Sequence, residues 1–215
     1  MESFSSDLQK IEEFVDLGDR EMLEIGCGDG RLSSLLANKV KNLTAIDPDK
    51  AMINLACREI SGVDFRVGNG EKLEFKDKSY DIVLFSYSLH HQDGVKALEE
   101  AKRVLRDDSV ILIIEPSPES EYTQFVSIFE EDEIDRLSAT LSFIKSGDFD
   151  ISREETYVVK YHFKDEEELY YHFMDRFMVE NDAEGIEKIK AILGHKKKAR
   201  SIVIRDKVNI FLLKY

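Results

Sequence analysis

The first 115 residues alternate short runs of apolar, β-branched residues with stretches of helical periodicity. Such alternation is typical of a parallel sheet covered by helices, because two parallel strands of one sheet need a crossover connection. The pattern predicts five strands, at Met22–Ile25, Leu43–Ile46, Val63–Val67, Tyr80–Phe85 and Val110–Ile114. Crossovers of this kind are almost always right-handed. The sequence therefore predicts an α/β fold with an open sheet.

After Pro116 the pattern changes to interrupted helices and longer alternating runs. Residues 117–147 are interpreted as a helical lid that follows the fifth strand, and residues 165–193 as helices that partner the lid. Lids of this kind exclude water and select substrates. Glu155–Phe163 and Ile202–Tyr215 alternate like strands, and the second of these runs is interpreted as one strand or as a hairpin that turns at Asp206-Lys207.

No internal repeat or Gly/Ser-rich linker divides the chain. Residues 1–215 are therefore interpreted as one domain, with a ligand-binding half at 1–115 and a substrate-facing half at 116–215. A first helix is predicted near the amino terminus, with Ser6 or Asp7 as its candidate N-cap.

Composition and charge exclude several classes of protein. The 215 residues are 42% hydrophobic and carry a formal net charge of −14. Phosphate groups repel such a chain, so neither nucleic acid nor an anionic membrane is an expected partner. The longest aliphatic run, Val110–Ile114, is far shorter than the ~20 residues that span a bilayer, and the first residues lack the features of a signal peptide. With only Cys27 and Cys57, the chain is expected in the reducing cytoplasm.

The most specific motif is Glu24-Ile25-Gly26-Cys27-Gly28-Asp29-Gly30, at the junction of the first strand and the next helix. Glycines allow a sharp turn and let a ligand approach the backbone closely. Dinucleotide-binding loops have glycines at positions one, three and six, whereas the third glycine here is at position five. An acid beside the turn suits a ligand that carries an ammonium group better than it suits a pyrophosphate.

This loop resembles motif I of the class I S-adenosylmethionine-dependent methyltransferases. The resemblance continues through Asp47, Gly68-Asn69-Gly70-Glu71 and Ser86–His91, and it is strongest to the "type 11" branch, which includes quinone-biosynthesis enzymes. It covers roughly the first 115 residues, and the rest matches only in general layout. It implies a doubly wound, seven-stranded, mostly parallel Rossmann-like sheet whose last strand is antiparallel to its neighbours. It also implies S-adenosyl-L-methionine as methyl donor and S-adenosyl-L-homocysteine as product.

The resemblance implies a cofactor site spread over several strand ends. In it, Glu24 holds the loop and the methionyl amino group, and Asp47 accepts hydrogen bonds from both ribose hydroxyls. Met52 lies on the adenine face. The family usually has aspartate where Asn69 stands, although asparagine can accept from the adenine amino group and donate to a ring nitrogen. The implied cofactor-binding residues are Glu24, Gly26, Cys27, Gly28, Gly30, Asp47, Met52, Asn69, Gly70, Glu71 and Ser86.

Four residues at the carboxyl edge of the sheet are candidates for acceptor chemistry. His90 and His91 are candidate catalytic residues, as a base or a substrate donor, because imidazole titrates near neutrality. The alternative is a packed His90 and a solvated His91. Glu115 is a candidate anchor for a substrate amine or, alternatively, an N-cap of the next helix, and Tyr87 is interpreted as a wall of the substrate site. No metal is expected, because the other histidines have no ligand spacing.

The function predicted from these patterns is in-line methyl transfer from S-adenosylmethionine to a small molecule, with a homodimer left open. Two alternatives belong to other classes. A non-catalytic subunit that binds the cofactor for a partner would be favoured by an apolar patch of Phe211, Leu212 and Leu213 on the outer sheet edge. A nicotinamide-dependent dehydrogenase is the second alternative, and the glycine spacing argues against it.

Overall fold

The computed structural model of the protein describes residues 2–146, 149–180, 182–198 and 201–214. The strands in this part of the chain are β1 (Glu21–Ile25), β2 (Asn42–Asp47), β3 (Asp64–Val67), β4 (Tyr80–Ser86), β5 (Leu105–Pro116), β6 (Ile151–Phe163) and β7 (Ile202–Lys214). They form one sheet of order β3-β2-β1-β4-β5-β7-β6. β1 to β5 pair in parallel, and β7 runs antiparallel to both of its neighbours. The predicted seven-stranded, mostly parallel α/β fold is confirmed.

Helices cover both faces of this sheet. They are α1 (Glu2–Phe14), α2 (Arg31–Leu36), α3 (Lys50–Glu59), α4 (Gly94–Val104), α5 (Glu121–Val126), α6 (Glu133–Ile144), α7 (Glu166–Arg176) and α8 (Ala183–Leu193), with short 3-10 helices at Leu89–His91 and Gly194–Lys198. Among the described residues, none of the helices has the length and apolarity needed to cross a bilayer.

The central strands are buried on both faces. In β4, Val83 and Phe85 point into a core shared with α4, whereas Ile82 and Leu84 point into a second core shared with α1 and α2. Strands that are covered on both sides read as continuous apolar runs, which is why the strand pattern is so clear in the sequence.

The region predicted to be a lid divides between two cores. Phe125 of α5 packs with Phe173 of α7 and Ile189 of α8, so α5 and the two helices between β6 and β7 form one apolar cluster. Ile144 of α6 instead packs in the core under the main sheet. Gly147, where the predicted lid ends, lies outside the described residues. The segment after β5 therefore packs in two places, with α5 against α7 and α8 and with α6 against the main sheet.

Three local expectations differ from the structure. β7 continues through Asp206 without a turn and pairs with β6 along its length, so the hairpin alternative is wrong; Tyr215 lies outside the described residues. Because β7 lies between β5 and β6, Phe211, Leu212 and Leu213 are buried and form no patch on an outer edge. The first helix begins at Glu2, so neither Ser6 nor Asp7 caps it.

Candidate active site

The loop between β1 and α2 is held against the end of β2. The backbone amides of Gly26 and Cys27 donate to the Ile46 carbonyl at 2.8 and 3.1 Å. The amide of Gly28 donates to Oδ2 of Asp47 at 2.8 Å, and Oδ1 of Asp47 accepts from the Asp49 amide at 2.9 Å. Asp47 thus fixes the loop through its carboxylate at the point where β2 ends.

Gly26 and Gly28 occupy the left-handed region of the backbone, with φ of 82° and 53°, but for different reasons. A Cβ atom on Gly26 would lie 2.1 Å from Cβ of Ser88, so packing inside the protein requires that glycine. A Cβ atom on Gly28 would meet no atom within 4 Å. Gly28 is therefore the position where the backbone is open to a ligand.

Glu24 lies directly beneath this loop and is fully buried. Its carboxylate accepts from the Ser33 hydroxyl at 2.6 Å and from the Ser86 hydroxyl at 2.9 Å. Burial raises the pKa of Glu24, and these two hydrogen bonds oppose that effect only in part. A buried carboxylate with two neutral donors and no cation is a site at which a positively charged group is stabilised.

A cavity of about 590 Å³ begins at this loop and extends to α5, the end of α7 and β7. Aromatic and apolar side chains of these elements, such as Tyr122, Val126 and Phe177, line its far half together with Asp206. Among the predicted site residues, those that line the cavity are Glu24, Gly26, Cys27, Gly28, Met52, Ser86 and Tyr87. Those that lie outside its wall are Gly30, Asp47, Asn69, Gly70, Glu71, His90, His91 and Glu115.

The segment after β3 forms a turn that its own side chains stabilise. Oδ1 of Asn69 accepts from the Glu71 amide at 2.7 Å, and Oε1 of Glu71 accepts from the Asp93 amide at 2.9 Å. A Cβ atom on Gly70 would lie 2.9 Å from Cγ2 of Ile25. An asparagine serves in this turn as well as an aspartate, because the turn uses only a side-chain oxygen.

His90 lies between two carboxylates, and this position contradicts a role as the base. Its Nδ1 is 2.5 Å from Oε2 of Glu115, and its Nε2 is 3.4 Å from Oε1 of Glu133. Burial alone would lower the pKa of His90, but the two carboxylates outweigh it and raise the pKa to about 10. A group that is protonated at neutral pH and closed off from the cavity cannot accept a proton from a substrate there.

Glu115 and His91 also differ from their predicted roles. Glu115 is fully buried, and its Oε1 accepts from the backbone amides of Leu89 and His90 at 2.8 and 3.3 Å. It therefore caps the 3-10 helix after β4 instead of α5, and it has no opening through which to anchor a substrate amine. His91 is exposed at the surface and stands beside the cavity wall, not in it. Packing around the His91 ring lowers its pKa, and the charge of His90 adds to this effect.

Asp7 and Asp206, which the sequence suggests as a helix cap and a turn residue, are buried acids with hydroxyl partners in the structure. Asp7 accepts from the hydroxyls of Tyr87 and Tyr157 at 3.0 and 2.5 Å, and burial raises the pKa of Asp7 to about 6. Asp206 lines the cavity, accepts from the Ser120 hydroxyl at 2.6 Å, and has its pKa raised by burial to about 7. The apolar periodicity of each element could have indicated this burial. Asp206, for example, follows the buried Ile204 by two residues, so both point to the same face of the strand.

Replacing Asp206 with asparagine is expected to stabilise the protein at pH 8, on the order of 1–2 kcal/mol, and much less at pH 5. The folded protein holds the Asp206 proton more tightly than the unfolded chain, since the pKa is about 7 and not 3.8. The stabilisation from this proton is complete below about pH 4 and is lost as the pH rises towards 7. Asparagine keeps an oxygen for Ser120 and does not ionise.

Thermal unfolding of both proteins at pH 5 and pH 8 measures this effect. Glu99→Gln is the matched control, because Glu99 is an exposed acid on α4. The raised pKa of Asp206 would be contradicted if Asp206→Asn stabilised the protein equally at the two pH values. It would also be contradicted if, at pH 8, Asp206→Asn stabilised the protein no more than Glu99→Gln does.

Known proteins match this chain in the same region that contains the glycine loop. Residues 23–113 match the family described as "Methyltransferase domain". The chain is 31% identical over 103 residues to the uncharacterized methyltransferase YcgJ of Bacillus subtilis, which covers 45% of this chain and 41% of that protein. It is 28% identical over 105 residues to the ubiquinone/menaquinone biosynthesis C-methyltransferase UbiE of Campylobacter jejuni, over 45% of each chain. The chain thus spans about half the length of the curated relatives it matches.

Solved structures share the fold over almost the whole chain. The BH2331 protein of Bacillus halodurans has a TM-score of 0.68 at 20% identity, covering 97% of this chain and 98% of that one. The [4+2]-cyclase SpnF has a TM-score of 0.61 at 20% identity, covering 98% of this chain and 80% of SpnF. At such low identity these similarities show the fold alone, and a fold supports more than one reaction. The resemblance drawn from the sequence is confirmed over residues 23–113, which match the methyltransferase-domain family.

Proposed function

We propose that this protein is an S-adenosylmethionine-dependent methyltransferase that acts on a small-molecule acceptor. The observation that carries the proposal is the continuity of the cavity. It joins the Gly28 loop, at the carboxyl end of β1, to a chamber under α5 and α7 that aromatic, apolar and charged side chains line together. Open α/β sheets bind their ligands at this edge.

The residues around the loop fit a nucleoside with an amino-acid tail. Glu24 supplies a buried carboxyl group, which an ammonium group beside it would stabilise in the ionised form, and the open backbone at Gly28 allows close approach. Met52 and Leu55 line the same end of the cavity and offer an apolar surface for a base. When it is bound, S-adenosylmethionine supplies a methyl group already activated by the positive charge on its sulfur.

The far half of the cavity has the features of an acceptor chamber. Tyr122, Val126 and Phe177 provide an apolar wall that excludes water, and Asp206 faces the same space. In-line displacement depends mainly on positioning, which contributes ~7–11 kcal/mol in well-oriented reactions. Four carboxylates line this part of the cavity, at Glu130, Glu133, Asp175 and Asp206. We assign the acceptance of the acceptor's proton to Asp206. A homodimer and a cytoplasmic location stay predictions.

Calorimetric titration with S-adenosylhomocysteine tests the cofactor part of the proposal, and transfer of a radiolabelled methyl group into fractionated cell extract tests the reaction. Binding of the nucleoside together with labelling of a low-molecular-weight fraction is the expected result. Binding without labelling of any fraction would favour the non-catalytic subunit. Binding of NADH and not of S-adenosylhomocysteine would favour the dehydrogenase.

Replacing Asp47 with alanine is expected to weaken binding of S-adenosylhomocysteine by about 1–3 kcal/mol. The variant loses the carboxylate that holds the Gly28 amide and that we assign to the ribose hydroxyls. Asp49→Ala is the matched control, because Asp49 caps α3 through the Ala51 amide and does not touch the glycine loop. Calorimetry of both variants measures the difference. Equal affinities for Asp47→Ala and the wild type would exclude the ribose assignment.

A further inference from the structure

Two adjacent histidines and a glutamate from a distant helix converge beside the cavity. His90 and His91 belong to the 3-10 helix after β4, and Glu133 is the first residue of α6. Each side chain offers one nitrogen or oxygen atom, and these three atoms all lie within 4.8 Å of one another. Two imidazoles and one carboxylate form a donor set that binds divalent transition metals.

The orientation of His90 is set by a second carboxylate. Its Nδ1 lies 2.5 Å from Oε2 of Glu115, which leaves Nε2 facing Glu133. Histidines that bind metals through one nitrogen usually donate the N–H of the other to a carboxylate or carbonyl, which fixes the tautomer and the ring. Glu115 is itself fixed by the backbone amide of Leu89. His90 is thus held in the orientation that a metal ligand needs, and an ion that binds Nε2 releases the proton from that nitrogen to solvent.

The spacing and charge of the cluster also suit an ion. The 3.4 Å between Nε2 of His90 and Oε1 of Glu133 exceeds a usual hydrogen bond of ~2.7–3.2 Å. Two ligands on a tetrahedral ion, with bonds of ~2.0–2.1 Å, lie ~3.3 Å apart. Oε2 of Glu133 is occupied by Arg136 at 2.9 Å, so Oε1 is the oxygen that faces the imidazole. The carboxylate of Glu133 provides negative charge at the ligand position, and the carboxylate of Glu115 on the other side of the His90 ring adds to it.

We propose that His90, His91 and Glu133 bind one divalent transition-metal ion of the zinc type, with Glu115 orienting His90. Nitrogen donors select Zn²⁺ or Co²⁺ over Mg²⁺ and Ca²⁺. Three protein ligands leave a coordination position open, as in catalytic and not structural zinc sites. Since Glu133 also lines the cavity, the ion lies at the cavity wall. This inference does not depend on methyl transfer. The sequence could not suggest it, because Glu133 is far along the chain from the two histidines.

Metal titration of tag-free, chelator-treated protein tests the proposal. Cys57 is exposed and is replaced by serine in every sample, so that no surface thiolate competes. We expect one equivalent of Zn²⁺ to bind by calorimetry, one equivalent of Co²⁺ to show the visible absorption of a low-coordinate site, and Mg²⁺ not to compete. His91→Ala and Glu133→Gln are expected to weaken Zn²⁺ affinity at least tenfold, and Glu115→Gln ~10–100-fold.

His162→Ala is the matched control, because His162 is an exposed histidine on β6, away from the cluster. Its affinity for Zn²⁺ should stay within about twofold of the parent protein. Circular dichroism checks the fold of each variant, and His91→Ala removes an exposed side chain and so keeps the test valid if Glu133→Gln unfolds. Absence of Zn²⁺ binding, an affinity that His91→Ala leaves unchanged, or binding that His162→Ala removes would each overturn the proposal.

Discussion

Replacing His90 with alanine is expected to lower the free energy of unfolding by about 3–5 kcal/mol. The imidazole is 3% exposed and lies between Glu115 and Glu133, which are 0% and 7% exposed. Without it, Glu133 keeps Arg136, but Glu115 keeps only the backbone amides of residues 89 and 90. Removing one member of a buried ionic group leaves its partner's charge uncompensated. Urea unfolding at pH 7 in the presence of a chelator measures the loss.

His91→Ala is the matched control for this measurement. The neighbouring histidine is exposed, so its removal from metal-free protein should change stability by no more than about 0.5 kcal/mol. His90→Ala combined with Glu115→Gln should recover part of the loss, because one orphaned charge is gone. Equal stabilities of the His90→Ala and His91→Ala variants would show that His90 does not join the two carboxylates.

Replacing Gly26 with alanine is expected to destabilise the protein by about 2–5 kcal/mol and to abolish nucleoside binding. The residue has φ of 82°, which costs any other L-residue ~1–2 kcal/mol. Its new Cβ would lie 2.1 Å from Cβ of Ser88, and relieving such overpacking costs a further ~1–3 kcal/mol. Because Gly26 is hydrogen-bonded to Ile46, any movement displaces the loop that lines the cavity.

Two further variants separate packing from ligand approach. Gly26→Ala with Ser88→Gly should recover stability, since the nearest remaining atom, Cα of Ser88, is 3.5 Å away. Gly28→Ala should cost only ~1–2 kcal/mol of backbone strain yet weaken nucleoside binding, because no atom of the described residues lies within 4 Å of that Cβ. Unfolding and calorimetric binding curves measure both quantities. If the Gly26→Ala variant were as stable as the Gly28→Ala variant, the predicted clash with Ser88 would be refuted.

The fold was readable from the sequence to within a few residues at most strands. The apolar runs predict the positions of β1, β2 and β4, because these strands are covered on both faces and most of their residues are therefore apolar. β5 was predicted too short: it begins at Leu105 and includes exposed residues before Val110, which an apolar pattern does not mark. The path of β7 could be established only from its pairing with β5 and β6, because alternation in the sequence does not distinguish one long inner strand from a hairpin.

The sequence predicts the candidate site only where the residues that form it are close together in the chain. The loop from Glu24 to Gly28 carries its acid and glycines together, and the structure places all of them at the cavity. The local pattern around Asp7 and Asp206 suggests a helix cap and a turn, whereas both acids lie on buried faces of their elements and accept from hydroxyl groups. His90 was assigned to catalysis because its sequence position does not reveal the carboxylates on either side of it.

The α/β class, the positions of the parallel strands and the glycine loop with its acid depend on residues a few positions apart, so the amino-acid pattern predicts them. Three other features come from long-range packing: Glu115 and Glu133 enclose His90, Ser88 requires Gly26, and Asp206 faces the cavity. The reason is physical: a side chain's charge, burial and reach depend on atoms brought against it by distant parts of the chain, and periodicity records which face is buried but not what it is buried against.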